Sequence, residues 1–166
     1  MDIKLFRAIF RLSGRSSLLD QLMILTSNKI RYVYIFVLLV MWIQNDGYKK
    51  IAIQTLRSTF IAFLVDLTFR FFLYRPRPFI KRRVGILIPS KVNSSFPSKH
   101  TLLVFAVSTS ILLYQRTLGL LMTGLSLLTG LSRIWVGHHY PSDIIGSALL
   151  GSLTSLFPFI FSRLKR

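Results

Sequence analysis

The sequence predicts an all-α, polytopic membrane helix bundle of about six helices: an N-terminal interfacial helix followed by five or so membrane segments. Three observations carry this. Apolar residues fill 52% of the 166 positions. The charges are gathered so that Tyr32–Asn45, Thr101–Gln115, Thr117–Ser132 and Ile144–Ser162 contain none. Basic residues instead fall at segment ends, at Lys4, Arg7, Arg11 and Arg15, at Lys49 and Lys50, and at Arg163, Lys165 and Arg166, where anionic headgroups would hold them. A helix rises about 1.5 Å per residue and needs roughly 20 residues to cross a ~30 Å hydrocarbon core. The last stretch nearly reaches that length alone, and the others do so with their polar ends included. A soluble fold would have to bury Thr101–Ser132, broken only by Arg116, as two core helices, and so short a chain has too little polar surface to cover them. By length, residues 1–166 are one integral-membrane domain.

The elements follow in order. Met1–Leu12 carries Lys4, Arg7 and Arg11 among Ile3, Leu5, Phe6, Ile9, Phe10 and Leu12, a helical spacing with an apolar face that suits a helix lying in the interface better than a cleavable signal. Ser13-Gly14 ends it. Leu18–Ser27 and Ile30–Gln44 are apolar runs either side of Asn28-Lys29, read as a short dipping helix before a full span or as one long kinked span. Asn45-Asp46-Gly47 reads as a turn, followed by a helix from about Lys49 to Tyr74. The segment Arg75–Pro97 holds four prolines and Lys81-Arg82-Arg83 and reads as an extramembrane loop. Helices at Ser98–Gln115, Thr117–Ser132 and Ser142–Phe161 complete the chain, the last bent or frayed by Pro158.

Twenty-two basic against five acidic residues, a formal charge of +17, invites a nucleic-acid reading. The placement of the charge at segment ends favours membrane lipids as partners instead, with no nucleic acid and no obligate protein partner. The chain has no cysteine, which removes disulfide, thiol and Cys-zinc chemistry.

Three polar clusters interrupt the apolar sequence: Arg70 to Pro78, then Pro97-Ser98-Lys99-His100, then Ser132 to Asp143. All three histidines lie in them. Counting crossings puts the three on one membrane face, because the Ser98–Gln115 and Thr117–Ser132 helices form a hairpin. Guanidinium forks at Arg70, Arg77 and Arg133 match phosphate oxygens and keep their charge, although Arg70 also has an intrahelical partner in Asp66. Ser98 can cap a helix whose first N–H groups form an anion site. His139 and Asp143 are four apart, so that Asp143 can accept the Nδ1 proton and leave Nε2 toward a phosphorus atom; Asp143 can equally cap the last helix. His138 is expected to be structural. With one carboxylate in the clusters, neither a metal nor another cofactor is expected.

Arg70-x6-Arg77-Pro78, Pro97-Ser98-x-His100 and Ser132-Arg133-x5-His139-x3-Asp143, in this order and spacing, resemble the type 2 phosphatidic acid phosphatase (PAP2) superfamily. The run Ser-Arg-Ile-Trp-Val-Gly-His-His-Tyr-Pro, with Arg77-Pro78-Phe79 and Ser95-Phe96-Pro97, is similar to its bacitracin-resistance undecaprenyl pyrophosphate phosphatase branch. That resemblance implies His139 as nucleophile forming a phosphohistidine, Asp143 holding its tautomer, and His100 protonating the leaving phosphate. It implies that Arg70, Arg77, Ser98, the Lys99 N–H and Arg133 bind the phosphate oxygens. Two positions depart from the pattern: Arg70 stands where lysine is usual, and Lys99 where glycine is usual, which would be strained if that residue were left-handed.

The function this implies is metal-independent hydrolysis of a lipid pyrophosphate, undecaprenyl pyrophosphate to undecaprenyl phosphate, which Arg75, Lys81, Arg82, Arg83 and Lys91 would favour over a monophosphate. The alternatives are a phosphatidylglycerophosphate or phosphatidate phosphatase, a lipid phosphotransferase, or an inactive membrane protein that binds lipid phosphates. Placing the clusters on the extracytoplasmic face leaves Lys49, Lys50, Arg116 and the basic C-terminal residues inside, in line with the positive-inside rule.

Overall fold

The computed structural model describes residues 2–82, 86–90 and 92–164. Met1, Arg83, Lys91, Lys165 and Arg166 lie outside the described residues. The regular structure among those described is entirely helical: α1 (Asp2–Phe10), α2 (Ser17–Gln44), α3 (Asp46–Phe72), α4 (Pro78–Arg82), α5 (Lys99–Tyr114), α6 (Arg116–Trp135) and α7 (Pro141–Leu164). Helices α2, α3, α6 and α7 are long and apolar enough to cross a membrane, and α5 is a shorter apolar helix packed against α3, α6 and α7.

Four local features bear on the sequence reading, and the first matches its single-helix alternative. The two apolar runs before Gln44 form one helix of 28 residues; Asn28 and Lys29 interrupt the hydropathy but leave every backbone donor in place. The turn after it shrinks to Asn45, whose side chain accepts the Tyr48 N–H at 3.1 Å and so starts α3 at once. The segment read as loop contains α4, begun by Pro78, whose fixed φ and missing N–H suit a first helical position. Pro158 lies inside α7, which continues past it to Leu164.

The bundle closes on small residues and hydroxyls. A Cβ on Gly151 would stand 2.3 Å from the Leu102 carbonyl oxygen, so α5 and α7 touch backbone to backbone. Around this contact Ala62, Leu102 and Ala106 are fully buried. Hydroxyls inside the spans find partners within the protein: Tyr34 reaches Ser126 Oγ at 2.7 Å, Ser155 donates to the Ala106 carbonyl at 2.6 Å, and Thr55 donates to Ser110 at 3.0 Å. In hydrocarbon, where no water competes, such bonds each add roughly 0.6 kcal/mol to helix association. The outward faces carry exposed Phe36, Phe60, Leu120, Leu127, Leu149 and Leu153, as a lipid-facing surface requires.

This packing brings the end of α3, the start of α5, the end of α6 and the start of α7 to one face. Helix α1 docks there through its apolar side. Phe6 is 2% exposed, stacks on Phe10 at 5.4 Å and meets the Tyr140 ring edge-on at 5.6 Å.

Candidate active site

Helix α6 ends in a Schellman motif that aims the two histidines. Gly137 has φ 84°, a left-handed position that glycine fills without penalty. Its N–H bonds to the Ile134 carbonyl at 3.0 Å, and the His138 N–H to the Arg133 carbonyl at 3.1 Å, the double closure that defines the motif. The chain then turns His139 inward until it is 1% exposed.

His139 Nδ1 lies 2.7 Å from the Ser95 carbonyl oxygen. A carbonyl only accepts, so Nδ1 carries the proton and Nε2 keeps its lone pair. Nε2 faces Arg77 Nη1 at 3.3 Å. The sequence reading gave the Nδ1 proton to Asp143, but the Asp143 carboxylate is 3.9 Å away, beyond hydrogen-bond reach. Asp143 is at the third position of α7 and reaches back to the Tyr140 N–H at 2.9 Å, as an acidic side chain in a capping box does. It also accepts from the Ser95 hydroxyl and from Arg75. Ser95 therefore links the two, its carbonyl oxygen on His139 and its hydroxyl on Asp143.

Arg77 and Arg133 are 5% and 6% exposed. Arg77 donates from Nη2 and Nε to Asn93 Oδ1 at 2.8 and 3.0 Å. Arg133 donates from Nη1 to Ser27 Oγ at 2.7 Å, and its buried Nε has no acceptor. Among the described residues neither pairs with a carboxylate. Arg70 differs: its Nε donates to both Asp66 oxygens at 2.9 Å, and its Nη2 to the Pro97 carbonyl at 3.1 Å. It braces the segment before α5 while its charge is already matched.

Ser98 precedes α5 but forms no side-chain cap. Its hydroxyl pairs with Thr101 Oγ1 at 3.0 Å and its N–H donates to Ser147 Oγ at 2.7 Å, so the opening N–H groups of α5 remain uncapped by side chains. Lys99 is the first residue of α5, a right-handed position that lysine adopts without strain, and its Nζ sits over the Phe63 ring at 4.6 Å. His100, on the first turn of α5, lies in the field of Arg133, Arg31, His138 and Arg77. His138 pairs through Nε2 with the Ile88 carbonyl at 2.9 Å and meets Phe79 edge-on, tying the loop to the site.

The electrostatics follow from burial among cations. Burial, reinforced by Arg133, Arg77 and His138, holds the His139 imidazole well below its usual range, so it is neutral at pH 7. Burial and Arg133 take His138 down to about 4 against the pull of the Ile88 carbonyl. Burial and the nearby Arg70 bring Arg77 down to about 10, which leaves it charged.

Sequence reasoning missed the residues that set this geometry. Arg75 was noted only as an extra cation, yet it joins Asp143 to Asp2, whose Oδ2 accepts from Nη2 at 2.8 Å, and its guanidinium lies 4.8 Å from the Tyr140 ring centre. Asp2 Oδ1 also accepts the Ser142 N–H at 3.0 Å, so α1 caps α7. Ser27, Asn93, Ser95 and Ser147 are neutral and carry no chemical signature in the sequence. The Arg-Pro-Arg-Pro run was the one signal for Arg75.

Residues 51–165 match the PAP2 superfamily. The undecaprenyl-diphosphatase BcrC of Bacillus subtilis strain 168 is 36% identical over 171 residues, covering 100% of this chain and 86% of that protein. The bacitracin transport permease protein BcrC of Bacillus licheniformis is 30% identical over 161 residues, covering 96% of this chain and 79% of that protein. Among solved structures, Aquifex aeolicus LpxE superposes with a TM-score of 0.81 at 25% identity, covering 95% of this chain and 94% of that one. The chain belongs to the PAP2 superfamily and is a lipid phosphatase of the membrane.

Proposed function

We propose that the protein removes the terminal phosphate of a polyprenyl diphosphate, undecaprenyl diphosphate, through a phosphohistidine on His139. One observation carries this reading: an unprotonated Nε2 on a buried imidazole faces Arg77, beside a buried Arg133 whose Nε has no acceptor. Buried guanidiniums without carboxylate partners are costly until an anion arrives, and the Nε2 lone pair beside Arg77 is a nucleophile for that anion. The full-length likeness to a protein named undecaprenyl-diphosphatase supports the choice of substrate.

The terminal phosphate would sit against Arg77, Arg133, Ser98 and the N–H groups at Lys99, with Arg70 bracing Pro97. Nε2 attacks phosphorus, and the bond from phosphorus to the bridging oxygen breaks. The leaving lipid phosphate takes a proton from His100, which enters the step as an imidazolium once the substrate's negative charge offsets the surrounding arginines. The Ser95 carbonyl keeps Nδ1 protonated as the ring gains positive charge, and Asp143 at 3.9 Å stabilises that charge. His100 then takes a proton from water, whose oxygen attacks phosphorus and breaks the N–P bond, releasing phosphate and restoring His139. Fixed cations at the oxygens where charge develops supply most of the catalysis in such a transfer.

We place the site on the extracytoplasmic face, because Lys49, Lys50, Arg116 and Arg163 mark the opposite ends of the spans and cytoplasmic loops favour such residues. Cysteine labelling tests this directly in a chain that has none of its own. Val92→Cys, at an exposed loop position, should react with a membrane-impermeant maleimide on intact cells; reaction only after lysis reverses the orientation.

Activity is tested by phosphate release from undecaprenyl diphosphate, phosphatidate and phosphatidylglycerophosphate in detergent with EDTA, with His139→Ala as control. Release from the diphosphate that is lost in the variant is expected. Release only from the glycerolipids keeps the mechanism and overturns the substrate. Release that survives in His139→Ala removes the phosphohistidine.

A further inference from the structure

An open groove lies at the end of the bundle opposite the active site. It has a volume of about 930 Å³ and runs between the first half of α3 and the last turns of α7, with Tyr114 of α5 at its back. Lys50, Gln54, Arg57 and Ile61 line it from α3, a spacing that keeps one helix face in register. Arg163 lines it from α7. No acidic residue lines it.

Arg57 is the informative residue. It stands roughly 16 Å along α3 from Asp46 at about 1.5 Å per residue, well inside a span, and it is exposed on the surface of the protein. Among the described residues it has no ion pair and no hydrogen-bond partner. The five acidic residues of the chain are placed elsewhere. Asp2, Asp66 and Asp143 are in ion pairs around the active site, Asp20 binds Trp135 and Gly14, and Asp46 opens α3. A guanidinium at this depth, with no partner in the protein, needs an anion from the membrane.

The walls identify that anion's carrier. Phe60, Phe157 and Phe161 line the same groove and are 62%, 69% and 53% exposed. Pro158, also in the lining, donates no hydrogen bond to the carbonyl of Thr154, which locally loosens α7 beside the groove. A cationic stripe running inward from a membrane face, flanked by aromatic walls, matches a molecule with an anionic head and hydrocarbon tails. Basic pockets between spans bind acidic lipid headgroups by this complementarity.

We propose that this groove is a second lipid site, which holds an anionic phospholipid of the leaflet opposite the active site, its phosphate on Arg57, Lys50 and Arg163 and its acyl chains on the phenylalanines. The site is separate from catalysis, since the catalytic cluster is built from the other ends of the same helices.

The test is lipid binding to purified protein in neutral detergent, read by native mass spectrometry and by thermal shift. Dioleoylphosphatidylglycerol, dioleoylphosphatidylcholine and inorganic phosphate are titrated separately, and the lipid series is repeated with excess orthovanadate to fill the catalytic cluster. Phosphatidylglycerol should bind and stabilise with orthovanadate present, while phosphatidylcholine and phosphate should not reproduce the effect. Arg57→Gln should weaken that binding by about tenfold, and Lys50→Gln by less, both with unchanged phosphatase activity in detergent as proof of folding. Equal binding of both lipids, abolition by orthovanadate, or full retention in an active Arg57→Gln or Lys50→Gln protein overturns the proposal.

Discussion

At the catalytic end of the bundle, Arg77 and Arg133 are held by neutral oxygens, Asn93 Oδ1 at 2.8 Å and Ser27 Oγ at 2.7 Å, and both are buried. At the other end, Arg57 lies exposed in an open groove, with no partner among the described residues to fix it. The side chains are the same, but the surroundings give them different uses. A neutral clamp fixes a guanidinium in direction without consuming its charge, which is what a transition state needs. An unclamped one adapts to whichever anion arrives, which suits a lipid that is held and never transformed. Arg70 is a third case: paired with Asp66 at 2.9 Å, it is both fixed and neutralised, and serves as a brace.

That contrast is broken most completely at the nucleophile. His139→Ala should reduce kcat/KM for the lipid diphosphate by about 10⁴-fold or more, measured as phosphate release. Replacing either clamped arginine by lysine should cost about 10²–10³-fold, mostly in kcat, because a point charge does not reproduce the fork. A loss confined to KM would mean that these residues only bind. Asn93→Ala leaves the Arg77 charge intact and removes its clamp; a loss of about tenfold is expected. An unchanged rate would deny the importance of the clamp.

Loss of the contacts behind Asp143 should cost less again. Arg75→Gln and Asp2→Asn should each lower kcat by up to about tenfold, and the double variant should lose little more than the worse single one, because both act on Asp143 along one chain of contacts. Strict additivity would separate them.

Proton linkage sharpens the comparison from another direction. His138 titrates down at about 4 in the folded protein and near 6.5 when unfolded. Between those values the unfolded chain binds the proton and the folded one does not, so stability falls as pH drops from about 6.5 to about 4. In melting experiments His138→Gln should flatten this dependence. The same sign governs His139: its depressed value keeps Nε2 free below pH 6.5, so the acid limb of kcat/KM should lie below that pH.

Much of this was legible in the sequence, and the rest failed to be for physical reasons. Charge-free stretches located the spans because hydrocarbon tolerates little else, and three spaced clusters marked the candidate site because phosphate chemistry demands arginine and histidine. Helix α4 hid in a proline-rich segment because the same proline that breaks a helix also begins one. The Ser95 carbonyl, which sets the His139 tautomer, was invisible because every residue owns a carbonyl and only the fold decides where it points. The Asp2–Arg75 contact spans 73 positions and depends on how α1 docks, which no local pattern encodes.

Helix α5 has a further consequence. Its 16 residues span about 24 Å at about 1.5 Å per residue, short of a ~30 Å hydrocarbon core, and Lys99 and His100 are mounted on its first turn. Packed among longer spans, the start of α5 is therefore sunk toward the level where headgroup meets chain. The substrate would then meet the nucleophile without rising into bulk water, and the working rate would depend on acyl-chain length. In vesicles of progressively longer lipids, turnover should pass through a maximum, with the bilayer itself setting the depth at which phosphate is cut.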